Sequence, residues 1–152
     1  MAGAKKVIER IFIVAMAGVF IFFLIQAASS WWKDRKFQKD VLASCRATVV
    51  EADPAFPPGL LVEFENKGRI DLSPTHVRLV FYHDDREISR LDRDLSIKPM
   101  EKGTVRLKSA AKNGSIGSPP PPGSRVRYSV MIYPLYKKPL PEITGDVILK
   151  NP

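Results

Sequence analysis

The chain has 152 residues, 24 of them basic and 16 acidic, for a formal net charge of +8. That length allows one ordinary domain plus an attachment. One cysteine and two histidines exclude an intrachain disulfide and a zinc quartet, and basic residues scattered among acids describe a solvated surface better than a nucleic-acid groove.

The chain opens with a basic tail, Lys5, Lys6 and Arg10 around Glu9, and then turns apolar. Residues 11–25, IFIVAMAGVFIFFLI, hold no charged and no strongly polar side chain. With Gln26, Ala27 and Ala28 the run reaches 18 residues, enough at about 1.5 Å per residue to cross most of a ~30 Å hydrocarbon layer. Ala27-Ala28-Ser29 offers a small-residue cleavage site, so a secretion signal is the competing reading. The run is at or beyond the usual length of such signals. Trp31 and Trp32, followed by Lys33, Arg35 and Lys36, have the chemistry of a membrane-interface anchor, with indoles at headgroup level and long cationic chains reaching past them. We therefore expect a tail and transmembrane anchor over 1–30 and a basic juxtamembrane stalk over 31–40, helical to about Asp40, with Lys33, Arg35, Lys36 and Lys39 at lipid headgroups. Ala15, Ala17 and Gly18 give a small-residue face without a strict GxxxG. Cations before and after the run nearly cancel, so charge alone leaves the orientation undecided.

Beyond residue 40 the period changes to two. Leu60, Val62 and Phe64 alternate with Leu61, Glu63 and Glu65. Val77, Leu79 and Phe81 alternate with Arg78, Val80 and Tyr82. Val126, Tyr128, Val130 and Ile132 alternate with Arg125, Arg127, Ser129 and Met131. Adding CRATVVEA, REISRLDRDL, TVRLK and EITGDVILK gives seven predicted strands, each with one buried side. The separators are turn chemistry: DPAFPPG, NKGRIDLSP, HDDRE, KPMEKG and the long loop over 111–124 with four consecutive prolines, read as a stiff connector. This pattern predicts a mainly β fold over 41–152, an antiparallel immunoglobulin-like sandwich of about seven strands.

The stretch from Leu60 to Ser109 resembles the small sandwich families grouped as FxLYD-like or LEA14-like domains. The matching positions are Asn66, Gly68, Val77, Leu79, Phe81, Tyr82, Asp84, Pro99 and Gly103. The glycine usual after the aromatic strand is missing, with Asp85 and Arg86 in its place. The resemblance implies a sandwich tethered to a membrane, usually on the extracytoplasmic side, without shared catalytic residues.

No catalytic constellation emerges. His76 and His83 lie on opposite faces of one strand and read as surface residues. The HDD of 83–85 reads as a turn, and Cys45 as a small buried apolar residue. Ser29, Ser30 and Ser44 lack a partner base. Asp92 and Asp94 share a face with Arg90 and Arg93 interleaved, which points to ion pairing. The remaining candidate is YPLYKKPLP, where Tyr133, Leu135, Tyr136, Lys137 and Lys138 offer a low-entropy contact surface for a partner. The expectation is a non-enzymatic accessory or assembly subunit, anchored once in a bacterial inner membrane with its sandwich periplasmic, with the bilayer and other membrane-complex subunits as partners and no nucleic acid, metal or cofactor. The main alternative is a tethered carrier or sensor for an apolar ligand or peptide. An envelope enzyme of unrecognised chemistry is a third reading.

Overall fold

The structure is a computed structural model that describes residues 2–111 and 119–150. The apolar run and its basic flank form one uninterrupted helix, α1 (Ala2–Ser44). Fourteen of its side chains cannot find a core of their own: Val7 through Ile25 stand exposed wherever they are large and apolar. Among the described residues this is the one helix long and apolar enough to cross a membrane. The expected stalk is helical, and the helix runs four residues past Asp40. No proline or glycine interrupts Trp31–Ser44, so nothing breaks it there.

The chain divides into two compact units, 1–39 and 40–152. In the second, antiparallel strands form two sheets. The three-stranded sheet has the order β1-β2-β5, with β1 (Cys45–Asp53), β2 (Gly59–Asn66) and β5 (Lys102–Lys108). The five-stranded sheet has the order β6-β4-β3-β7-β8, with β3 (Thr75–His83), β4 (Arg86–Leu95), β6 (Ala110–Ala111), β7 (Arg125–Pro134) and β8 (Ile143–Ile148). The seven predicted strands all form, and the two-residue β6 is added where the sequence carries no strand signal. Of the long loop expected over 111–124, residues 112–118 lie outside the described residues.

The inward positions are those the alternation assigns. Leu60, Val62, Phe64 and Leu107 from one sheet meet Val77, Leu79, Phe81, Val126, Val130 and Ile132 from the other, all essentially excluded from solvent. Each such side chain contributes about 1.5–3 kcal/mol of transfer free energy. Val80, expected on the outer face, is buried as well. It sits on the central strand, directly between Arg90 of β4 and Ser129 of β7, with a neighbour on each side.

Two sequence features set the ends of the sandwich. Asp84 and Asp85 make the two-residue turn between β3 and β4, both left-handed at φ 48° and 58°. Successive positive φ values match the twist of a tight hairpin, and aspartate tolerates them better than most residues. At the other end Asn66 closes β2. It is buried, its amide nitrogen donates to the carbonyls of Ile70 (2.9 Å) and Lys98 (3.1 Å), and its side-chain oxygen accepts from the Gly68 amide (2.9 Å). The end of α1 joins this knot, because the Lys67 amide donates to the Ser44 carbonyl and a Cβ on Gly68 would stand 2.7 Å from Ser44 Oγ.

Candidate functional site

The outer face of the five-stranded sheet gathers His76 and Arg78 from β3, Asp92 and Asp94 from β4, and Tyr133 and Tyr136 from the end of β7 and its turn. The register that joins them depends on one residue. The tight hairpin pairs His83 with Arg86 and Tyr82 with Glu87, and Ile88 is then bulged so that Phe81 pairs with Ser89. Without that bulge His76 would face Arg93 and Arg78 would face Leu91. With it, His76 pairs with Asp94 and Arg78 with Asp92.

Within the cluster, His76 Nδ1 lies 2.9 Å from Asp94 Oδ1, and Nε2 lies 3.3 Å from Asp92 Oδ1. Carboxylates only accept, so both contacts are hydrogen bonds when the imidazole carries a proton on each nitrogen. Arg78 Nε donates to Asp92 at 2.8 Å, and Arg90 approaches the other Asp92 oxygen at 3.9 Å. Burial pushes the Asp92 carboxyl up, but the hydrogen bond and charge of Arg78, the hydrogen bond of His76 and the charge of Arg90 outweigh it and hold the group below the usual carboxylate range. Arg78 in turn is raised, chiefly by its hydrogen bond to Asp92. The expected ion pairing of Asp92 is present with Arg90. Arg93 lies outside the cluster, since it pairs with the inward-facing Val77.

Tyr136 covers the cluster. Its hydroxyl donates to Asp94, and its ring stacks on His76 at 5.5 Å and 22°. Tyr133 also approaches the imidazole, at 6.2 Å with its ring tilted by 44°. The backbone that places Tyr136 is unusual. Leu135 and Tyr136 are both left-handed, at φ 51° and 55°, in a turn closed by the Lys137 amide on the Pro134 carbonyl. Neither residue is a glycine or asparagine, so the turn is strained by about 1–3 kcal/mol per residue. Tyr136, Lys137 and Lys138 are exposed, while Tyr133 and Leu135 are half-buried.

The expected partner-binding residues therefore form one turn, anchored by His76, expected as a surface histidine, and by Asp94, expected in ion pairing. His76 is the anchor under Tyr136, and Asp94 is its hydrogen-bond acceptor. The signal for them was the polar face shared by His76, Arg78, Asp92 and Asp94, which requires the bulge. His83 stays apart, with Nδ1 3.3 Å from the Arg125 carbonyl. Among the described residues no group of His, Cys, Asp and Glu is placed to hold a metal ion. The expected membrane-interface residues lie on α1, with Trp31, Trp32, Lys33, Arg35 and Lys36 all exposed and the Arg35 guanidinium 4.2 Å above the Trp31 ring.

A second feature lies where the sandwich is open. A cleft of about 520 Å³ runs between the edge strands β1 and β8, with Leu42, Cys45, Ala47, Ile132, Leu140 and Ile143 among its walls. Burial pushes the Cys45 thiol up, which keeps it protonated and slow as a nucleophile. Cys45 is the only cysteine, so labelling reads this cleft alone. Maleimide modification of the native protein near neutral pH should be at least about tenfold slower than in denaturant. Equal rates would mean that the cleft mouth opens freely.

No protein-family model matches the chain, and no curated protein matches it either.

Proposed function

We propose that the chain is a non-enzymatic accessory or assembly subunit, anchored once in a bacterial inner membrane by α1 and presenting the sandwich to other subunits of a membrane complex on the extracytoplasmic side. The observation that carries this reading is the Tyr136 turn. An exposed tyrosine is pre-set in a strained conformation by Asp94 and His76 and flanked by two lysines. Rigid aromatic and basic groups held in advance lose little entropy on association, which suits a recognition surface. The anchor has the length and hydropathy a bilayer requires. The extracytoplasmic side rests on the resemblance to tethered sandwich domains.

The test is purification of the full chain in mild detergent, beside Tyr136→Ser and Lys138→Glu. A stoichiometric membrane-protein partner should accompany the native chain and be reduced at least about tenfold by either substitution. A partner retained equally by both variants would remove the turn from the interface. Protease digestion of intact spheroplasts, with a tag after Pro152, checks the side. Loss of the tag before lysis places the sandwich outside.

The cleft between β1 and β8 favours a second reading, a tethered carrier or sensor. Its walls alternate apolar side chains with Arg46, Thr48, Glu142 and Thr144, and with its open strand edges this suits an extended peptide or a ligand with an apolar part. An occupant would protect Cys45 from maleimide further.

A further inference from the structure

The basic flank of α1 is more ordered than its composition suggests. At about 100° per residue, Arg35, Lys39, Lys36 and Lys33 fall within an arc of about 160°. Trp32 lies inside that arc and Trp31 about 40° outside it, beside Arg35. Asp34 and Gln38 lie on the opposite side, and Asp40 lies within the arc at its far end, one turn beyond Lys36. All four cations are exposed, as are both tryptophans. The Arg35 guanidinium over the Trp31 ring joins the aromatic and cationic groups into one surface.

The other end of the apolar run differs. There Glu9 falls between Lys5 and Lys6 around the helix, and no tryptophan is present. A stripe of four cations directly behind an interfacial aromatic pair, with a single carboxylate, Asp40, at its far end, therefore occurs only at the C-terminal end.

We infer that this stripe is a binding surface for anionic phospholipid headgroups, which gather around Lys33, Arg35, Lys36 and Lys39 in preference to zwitterionic ones. The inference rests on the anchored reading above and adds the lipid class to it. Three features of the stripe fit that partner. Its charge is complementary to the headgroup phosphates. The guanidinium can donate two parallel hydrogen bonds to a phosphate. The indoles mark the depth at which headgroups lie, so the cations meet them without leaving the helix surface.

The tryptophans make the test intrinsic, because the chain has two and both sit at the stripe. The full chain is reconstituted in vesicles containing a phosphatidylglycerol and a phosphatidylcholine, with one or the other brominated on its acyl chains. Brominated phosphatidylglycerol at equal mole fraction should quench at least about twofold more strongly. The preference should fall towards unity at about 1 M salt, where the screening length is about 3 Å. It should also vanish in the variant Lys33→Gln, Arg35→Gln, Lys36→Gln, Lys39→Gln, which keeps good helix formers on an exposed face. Equal quenching by the two lipids in the native chain overturns the inference and leaves the stripe to an acidic protein surface. Absence of quenching by either lipid places the tryptophans outside the bilayer, and it overturns the anchored reading along with the inference.

Discussion

Replacing Asn66 with alanine should lower the stability of the sandwich by about 3 kcal/mol, a fall of roughly 10–15 °C in Tm. The side chain is almost fully buried and makes three hydrogen bonds, two as donor to the Ile70 and Lys98 carbonyls and one as acceptor from the Gly68 amide. None of these partners belongs to a strand ladder. The side chain is what satisfies them, and alanine would leave two part-buried carbonyls and an amide without that partner. Each buried group without a partner costs about 1–3 kcal/mol. Among the described residues no buried side-chain nitrogen or oxygen lacks a partner, so the native fold carries no comparable defect that could absorb the change. The knot also links distant parts of the chain: the Asn66 amide donates to the Glu101 carbonyl, and the next amide donates to Ser44 at the end of α1. Loss should therefore loosen the 66–72 and 98–101 segments together. Asn66→Asp separates hydrogen bonding from size. It keeps the acceptor for Gly68 but sets a carboxylate oxygen against two carbonyls, so it should be at least as damaging as alanine near neutral pH. Chemical denaturation of all three proteins decides the matter. A loss under about 1 kcal/mol for alanine would show that water replaces the side chain and that the knot is not a stability element.

The position of Asn66 was visible in the sequence as a strand ending in Asn-Lys-Gly, but its role was not, because both carbonyls it bonds come from residues later in the chain. The same division runs through the molecule. Strand faces are local, so Leu60, Val62 and Phe64 could be placed inward from their spacing, and Asp84-Asp85 could be placed in a turn. The long helix was equally legible from its unbroken apolar run. Pairing between strands is not local. The cluster under Tyr136 depends on the bulge at Ile88, a shift of one residue that changes the partner of His76 from Arg93 to Asp94. Only the joint requirement that His76, Arg78, Asp92 and Asp94 all face solvent points to it. Val80 shows the limit of alternation: on a central strand, cross-strand neighbours bury an outer-face residue that would be exposed at an edge. The two-residue β6 has no pattern to read.

The Tyr136 turn should stay closed well into acid and well into base, and the two limits have different owners. The Asp94 carboxyl is held below its ordinary range first by the hydrogen bond from Tyr136, then by the hydrogen bond and charge of His76. A lowered folded-state value contributes stability above the unfolded carboxylate range, near pH 4, and loses it as pH falls through the lower folded value. The Tyr136 hydroxyl is raised first by its hydrogen bond to Asp94, then by burial and the carboxylate charge. A raised value contributes stability below the unfolded phenol range, near pH 10, and loses it as pH rises through the higher folded value. Between those limits the neutral phenol donates to the ionised carboxylate, and this bond offsets the strain of two left-handed residues at Leu135 and Tyr136. Amide resonances of 135–138, followed by NMR across pH, should be flat through pH 4 and move only in stronger acid. Asp94→Asn should free the turn at every pH, because a neutral amide accepts the phenol proton more weakly and the amide nitrogen cannot accept from His76. Tyr136→Phe should leave the ring on His76 but return the Asp94 carboxyl towards its ordinary range. Turn resonances that titrate near pH 4 in the native protein would mean that Asp94 does not hold Tyr136, and the pre-set recognition surface would lose its physical basis.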